Sequence, residues 1–427
     1  MTKVYLIRHA EAEGNIFRRA HGQYNGLIIG RGYKQIKRLS ERFTDIHIDA
    51  VYSSDLTRTC VTATAIYKPK NLPLNKEKRL REVNMGEWED ISWGDLEHSD
   101  PQMMSNFESD PYNWRVRGSE DCQQVTSRMI ECISEIAAKH DAQSIALFSH
   151  GFAIRSFMRG ILNVDAGDIT KIPLFDNTAV TLLTFENGVF TVEYQGDNSH
   201  IPTEESTLAS QTWWREEKER IRENLRFLPY VESRDAGMHK QCFKECGIAG
   251  VESSVKTTAF LGEQQVGFIL VSTVNNNGDG ASVNNDAEGS DSAQDRNAEK
   301  GSDHAKDNDA EKGSDHAKDS DAAKDSDNEK NSDDARGRID CIYVKPELRG
   351  KHYAIQLVGE AVSYFRKRRI AGISVAIPCD SDAERFFRSF GFKKSNETAE
   401  SNKSNYSGKS DASNRWCVME NEYKNWD

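Results

Sequence analysis

Residues 275–337 set the first constraint on what this chain folds into. They are built from Asp, Ser, Asn, Ala, Lys and Gly, hold no aromatic residue, and carry Val283 as their one branched aliphatic side chain. The run Glu-Lys-Gly-Ser-Asp-His-Ala-Lys-Asp at 299–307 recurs at 311–319. Such a segment cannot bury enough apolar area to offset the entropy of ordering it, so disorder is expected there. Its 18 acidic and 8 basic residues carry a net charge of −10, leaving −2 of the chain's −12 for everything else. Neither flank is globally basic, so nucleic acid is not an expected partner.

The segment interrupts a domain rather than dividing two. Residues 257–272 ahead of it read as a hairpin around Gly262-Glu263-Gln264, too small to stand alone. Residues 339–344 behind it read as a strand that needs neighbours. Long surface insertions cost little in loop closure, so a sheet tolerates one between strands. At roughly 100–200 residues per domain, two or three domains are expected. The division falls at 1–202 and 203–427, with 275–337 as an insert in the second.

Apolar spacing gives the fold class. Residues 4–7 read as a strand, and 32–43 as a helix with Ile36, Leu39 and Phe43 on one face. A short strand at 50–52 leads into a helix over 57–67. An amphipathic helix at 125–139, a buried-type strand at 144–148 and a helix from Ala153 follow. This alternation implies parallel crossovers and a three-layer α/β/α sandwich. Farther on, 213–227 reads as a charged helix, 372–377 as a strand and 382–390 as a helix, a mixed α+β unit. No run of 18 apolar residues exists, so no membrane span is expected. The apolar run at 4–7 is too short for a signal-peptide core, which makes the cytoplasm the expected compartment. The eight cysteines show no paired spacings. Cys242 and Cys246 share one helix face and read as idle or buried thiols rather than metal ligands.

The chemistry is concentrated at two strand ends. Leu6-Ile7 runs into Arg8-His9, and Leu147-Phe148 into Ser149-His150-Gly151. Ligands of open parallel sheets bind at the carboxyl ends of strands, so both histidines reach one sheet edge. Residues 53–63 follow a strand and open a helix, placing Arg58 in its first turn near a natural anion site. Glu82 adds a carboxylate ahead of Gly86. Each residue alone reads as a structural or surface group; together they describe an anion site.

The order Arg8-His9-Ala10, Ser53-Ser54 with Arg58 and Thr62-Ala63, Leu80-Arg81-Glu82 before Gly86-Glu87-Trp88-Glu89, and His150-Gly151 resembles the histidine phosphatase superfamily, which includes cofactor-dependent phosphoglycerate mutases. The resemblance covers roughly residues 1–200. Ala10 stands for the usual Gly, Asn25 for the Asp of a segment resembled by 22–27, and Asp90 where Gly is frequent. The resemblance implies that His9 is the nucleophile that becomes phosphohistidine. It makes Arg8, Arg58 and His150 the groups binding the equatorial oxygens, Asn15 a neutral donor, and Glu82 the acid and base. Fixed cations take the part of a magnesium ion, so no metal or cofactor is implied. A small phosphomonoester is the expected substrate. Hydrolysis is favoured over mutase chemistry because no long extra segment lies between Glu82 and Gln123. Tyr24, Trp88, Trp93 and Trp114 are candidates for a leaving-group pocket, though aromatic residues are more often core.

Downstream, Val344-Lys345-Pro346-Glu347-Leu348-Arg349-Gly350-Lys351 joins a strand to a helix. A basic, glycine-containing loop at a helix N-terminus offers backbone N–H groups to a pyrophosphate. With Ala383, Phe386-Phe387 and Phe390-Gly391-Phe392, and the earlier Val266-Gly267-Phe268, this region resembles the GNAT acetyltransferase family. The resemblance implies acetyl-CoA as cofactor, held by Val344, Arg349, Gly350, Lys351, His352, Tyr353 and Ala354, with an amine acceptor. His352 stands where Gly is usual, and Phe387 where many members have a Tyr acid. The expectation is a bifunctional phosphatase and N-acetyltransferase. The alternative is a mutase-like phosphotransferase with a non-catalytic CoA-binding module.

Overall fold

Alternate residues of the central strands face two different cores, which makes the first sheet the middle layer of three. In the computed structural model, which describes residues 1–211, 223–246, 250–275, 335–378, 381–398 and 416–422, Val4 and Leu6 point into one core and Tyr5 and Ile7 into the other. Ile145 and Leu147 divide from Ala146 and Phe148 in the same way. Such near-continuous apolar runs are what a strand covered on both faces requires.

The elements follow in the order β1 (Thr2–Arg8), α1 (Glu13–Phe17), α2 (Gly30–Arg42), β2 (Ala50–Ser53), α3 (Thr57–Tyr67), β3 (Leu74–Lys76), α4 (Trp93–Ser99), α5 (Pro101–Ser109), α6 (Cys122–Lys139), β4 (Ser144–Ser149), α7 (Gly151–Ile161), β5 (Val180–Glu186) and β6 (Val189–Asp197). The sheet order is β3-β2-β4-β1-β5-β6. β1 to β4 run parallel, and β5 and β6 are antiparallel additions. Helix α3 has the expected bounds. Helix α6 begins three residues before Val125 because Asp121 and Gln124 form a reciprocal capping box at 2.8 Å each way. The antiparallel hairpin β5–β6 goes beyond the sequence expectation.

Beyond residue 202, two side chains still bond to this unit. Ser206 Oγ donates to Asp176 at 2.6 Å, and Thr207 Oγ1 to Glu11 at 3.1 Å.

The second unit comprises β7 (Arg226–Pro229), α8 (Glu232–Cys246), β8 (Val255–Leu261), β9 (Gln264–Asn275), β10 (Ala335–Val344), α9 (Tyr353–Lys367), β11 (Gly372–Pro378), α10 (Asp382–Arg388), β12 (Lys393–Thr398) and β13 (Trp416–Glu422). Its sheet order is β12-β13-β11-β10-β9-β8-β7. The expected helix over 213–227 ends instead in a strand, because Arg226 and Phe227 pair with Phe260 and Ala259 of β8; residues 213–222 lie outside the described residues. The expected disordered segment loses its two ends to the sheet: Asn275 closes β9, and residues 335–337 open β10. Residues 276–334 lie outside the described residues. Ala335 pairs directly with Asn275, so the chain leaves and re-enters at facing positions of adjacent antiparallel strands.

The two units meet where α9 crosses α1. A Cβ on Gly359 of α9 would stand 2.5 Å from Phe17 Cβ, so only glycine permits the approach. Phe17 itself sits in the second unit's core with Leu357, Val358 and Phe390. Around this contact lies a buried ionic network. Arg19 meets Asp90 at 2.9 Å and Glu360 at 2.8 Å; Arg366 meets Asp90 at 2.8 Å and Glu13 at 3.1 Å. Among the described residues no helix is long and apolar enough to cross a membrane.

Candidate active site

Pairing of Arg8 with Ser149 places the carboxyl ends of β1 and β4 side by side. His9 and His150 therefore emerge together, with ring centroids 5.2 Å apart. Asn177 Nδ2 donates to the His9 carbonyl at 2.8 Å and fixes its backbone. His9 Nδ1 lies 2.7 Å from the Ala10 carbonyl. A carbonyl only accepts, so Nδ1 carries the proton and Nε2 keeps its lone pair. Burial, followed by the charges of Arg58 and Arg8, holds the His9 pKa well below the usual histidine range, so the ring is neutral.

Arg8 is anchored at one end and open at the other. Its Nη1 donates to the Phe175 carbonyl at 2.5 Å, while its buried Nε has no protein partner among the described residues. A Cβ on Gly151 would stand 3.3 Å from that Nε, so the glycine keeps the approach clear. A buried donor without an acceptor is costly and marks a place for a ligand.

Arg58 is differently disposed. Its Nε donates to His150 Nδ1 at 3.1 Å, Nη1 to the Tyr24 carbonyl at 3.0 Å, and Nη2 to the carbonyls of Gly22 at 2.7 Å and His21 at 3.1 Å. Burial lowers its pKa to about 10, so it remains a cation at neutral pH. Because Nδ1 of His150 accepts from Arg58, the proton of the neutral ring sits on Nε2 and goes to Ser54 Oγ at 2.9 Å. Burial, then the Arg58 charge, holds His150 well below its ordinary pKa. His150 does not line the cavity described below. Both of its nitrogens are engaged by the protein, so in this arrangement it braces Arg58 instead of facing a ligand.

Glu82 is fixed at the N-terminus of α7. Its Oε1 accepts from Ala153 N at 2.9 Å and Val83 N at 3.0 Å, and its Oε2 from Phe152 N at 3.1 Å. Asn15 Oδ1 accepts from Ala12 N at 3.0 Å. Arg8, His9, Asn15, Arg58 and Glu82 all border one cavity of about 230 Å³. Trp93, Met104, Phe107, Phe152 and Phe175 form its apolar side. Trp93 is thus a lining residue, as its position suggests, whereas Trp88 and Trp114 are buried in the core and Tyr24 lies beneath Arg366.

Several lining residues had no local signal in the sequence. His21 contributes a third imidazole, 6.2 Å from His9 between ring centroids. It is clamped by glycines: a Cβ on Gly14 would meet its ring at 2.3 Å, and one on Gly26 its Nε2 at 2.3 Å. Its buried Nδ1 has no partner among the described residues. Thr207, Gln211 and Asn224 reach the cavity from beyond residue 202, and Arg18 Nε donates to Asn224 at 2.8 Å.

The second candidate site lies at the carboxyl end of β10, between the end of α8 and the start of α9. Strands β10 and β11 pair from Arg336↔Gly372 to Ile339↔Val375 and no farther, which opens a wedge. A cavity of about 430 Å³ borders Val344, Arg349 and Ala354, together with Glu245, Cys246 and Tyr343. Gly350 (φ +78°) has no atom within 4 Å of a built Cβ, and His352 (φ 63°) takes the left-handed conformation just ahead of α9. Arg349 turns back, its Nε donating to the Val344 carbonyl at 3.0 Å. Phe387 is buried against Phe386 and Phe392 and supplies no acid.

Residues 4–198 match the histidine phosphatase superfamily (branch 1), and residues 322–392 match the acetyltransferase (GNAT) family. Phosphoserine phosphatase 1 of Hydrogenobacter thermophilus is 32% identical over 186 residues, which span 44% of this chain and 88% of that protein. A probable phosphoglycerate mutase GpmB of Proteus mirabilis is 27% identical over 206 residues, 47% of this chain and 95% of the other. The solved structure of Bacillus stearothermophilus YhfR is 26% identical with a TM-score of 0.46, covering 47% of this chain and 100% of its own. With its site at the ends of β1 and β4, the chain belongs to the histidine phosphatase superfamily and carries a GNAT-type region behind it.

Proposed function

We propose that the N-terminal unit hydrolyses a small phosphomonoester through a phosphohistidine on His9. The reading is carried by one observation: a neutral imidazole with a free Nε2 lone pair stands in the same cavity as the Arg8 Nε, which has no partner among the described residues. Nε2 attacks phosphorus as the ester P–O bond breaks. Glu82, as the general acid, passes a proton to the departing alkoxide. Water then attacks the phosphohistidine while the Glu82 carboxylate takes a proton from it, releasing inorganic phosphate and restoring His9. Arg8 and Asn15 donate to the phosphoryl oxygens, and the Arg58 charge, held in place by His150, stabilises them. The apolar side formed by Trp93, Phe107 and Phe152 suits the carbon skeleton of the leaving group. The 32% identical relative, a phosphoserine phosphatase, favours hydrolysis over phosphoryl return to the substrate.

The test is a panel of phosphomonoesters offered to wild type and His9→Ala. Loss of activity by at least about 10³-fold is expected. A His9→Ala protein that hydrolyses at the wild-type rate refutes the assignment.

For the second unit the proposal is acetyl transfer from acetyl-CoA to an amine. The open loop at Gly350 and the parting of β10 from β11 fit the cofactor. Val344, Arg349, Gly350, Lys351, His352, Tyr353 and Ala354 would hold it. When bound, it supplies an activated acyl thioester. With Phe387 apolar, the thiolate takes its proton from a group other than this side chain. The boundary between units is proposed to lie beyond Gln211, since residues 206–211 hold to the first.

A further inference from the structure

Helix α9 faces two ways. Leu357, Val358, Val362 and Phe365 anchor it in the second unit's core. Its other face carries Glu360, Ser363 and Arg366 onto the first unit. Arg366, in the last turn, donates from Nη1 to Asp90 at 2.8 Å and from Nη2 to Glu13 at 3.1 Å. Its guanidinium carbon lies 4.4 Å from the centre of the Tyr24 ring, a cation–π distance. The Tyr24 ring in turn stands 4.5 Å from the His21 ring. The carbonyls of His21, Gly22 and Tyr24 are the acceptors that aim Arg58. The neighbouring pair Glu89-Asp90 ties both sides together: Glu89 accepts from Gln23 N at 2.7 Å and Tyr24 N at 3.0 Å, and Asp90 accepts from Arg366.

We infer that Arg366 is a positioning residue for the phosphate pocket: stacked on Tyr24 and paired with Asp90, it fixes the 21–24 loop that orients Arg58, so the C-terminal unit sets the competence of the phosphatase site. Two features show that the contact is built into the chain. Asp90 holds a left-handed backbone (φ 58°), a conformation that disfavours a residue with a Cβ. Its carboxylate accepts from both Arg19 and Arg366, a use that glycine could not supply. Gly359 allows α9 to touch Phe17 on α1, fixing the helix that carries Arg366.

The inference rests on the phosphatase reading, and the test separates the two. Full-length wild type, Arg366→Gln, Arg366→Lys, Tyr24→Leu, the double variant Arg366→Gln/Tyr24→Leu and Arg368→Gln are assayed with p-nitrophenyl phosphate, with melting temperature followed in parallel. Arg368 lies in the same stretch of chain but stacks on Tyr364 of its own helix, so its variant controls for a lost surface charge. Arg366→Gln is expected to lower kcat about 10- to 100-fold with little change in KM, as for a misaimed catalytic group. Arg366→Lys restores part of the loss, and Arg368→Gln matches wild type. The double variant falls no farther than the worse single one, because both act through one loop. If Arg366→Gln fails to fold, Tyr24→Leu carries the test alone and must lower kcat by itself. Wild-type kcat in Arg366→Gln, or in Tyr24→Leu where the other does not fold, overturns the inference. So does a loss proportional to unfolded protein, or a strictly additive double variant. An inactive wild type removes the phosphatase reading and this inference together, whereas an active wild type with a neutral Arg366→Gln removes only the inference.

Discussion

Asp90→Asn isolates the charge at the centre of the interface. Asparagine keeps the side-chain volume and tolerates the left-handed backbone, so what changes is the carboxylate that serves Arg19 and Arg366. Breaking a buried ion pair by removing one partner costs about 3–5 kcal/mol, because the remaining charge stays desolvated. Here each arginine keeps a second carboxylate, Glu360 for Arg19 and Glu13 for Arg366, which places the expected loss near the lower end, about 3 kcal/mol. Asp90→Gly loses the same charge but recovers about 1 kcal/mol of backbone cost, for a net loss of about 2 kcal/mol. Urea unfolding of the full chain reads both. The pH dependence is a second check. Burial opposes the Asp90 charge, but Arg366 and Arg19 outweigh it and hold the carboxyl below its usual range. A folded-state pKa below the unfolded value of about 3.9 means the contribution is complete above that pH and fades as pH falls through it. The gap between wild type and Asp90→Asn should therefore be flat near neutrality and close below about pH 4. An Asp90→Asn protein within about 0.5 kcal/mol of wild type at pH 7, or an Asp90→Gly protein more stable than wild type, refutes the reasoning.

Two further outcomes follow from the site. Glu82→Gln cannot give up a proton, so kcat for alkyl phosphates should fall about 10²- to 10⁴-fold, and much less for aryl phosphates whose leaving groups need no acid; equal losses on both would remove Glu82 from the acid role. His9, His21 and His150 are all held below the ordinary histidine pKa, chiefly by burial. Their contribution to stability is complete above the unfolded value of about 6.5 and is lost as pH falls, so the urea midpoint should drop between pH 7 and 5. A midpoint that is constant over that range would mean that these rings are not buried neutral.

Local signals in the sequence carried the elements that have strong periodicity and the residues that sit at strand ends. Helix α3 matched its expected span, and Arg8, His9, Arg58 and Glu82 were placed in one cavity. What could not be read locally is what tertiary contacts decide. Residues 226–229 have helix-compatible charges upstream, yet pairing with β8 makes them a strand. His21 lines the cavity only because Gly14 and Gly26 leave room for its ring, a packing relation that no motif announces. The part played by His150 turned on which of its nitrogens met Arg58, a matter of ring orientation that no motif encodes. Asp90 was visible as an unusual residue at a glycine-like position, but its partner Arg366 lies 276 residues away.

The facing of Asn275 and Ala335 has a practical side. The two strands that flank the acidic stretch pair from Val344↔Gly267 to the open end, with one register shift between Ile339 and Cys341. Anything whose termini lie about one strand spacing apart, some 5 Å, fits that seam. A cleavable tag or a fluorescent reporter with adjacent ends could be spliced there, and the number of acidic repeats could grow or shrink between copies of the gene, while both pockets keep their shape.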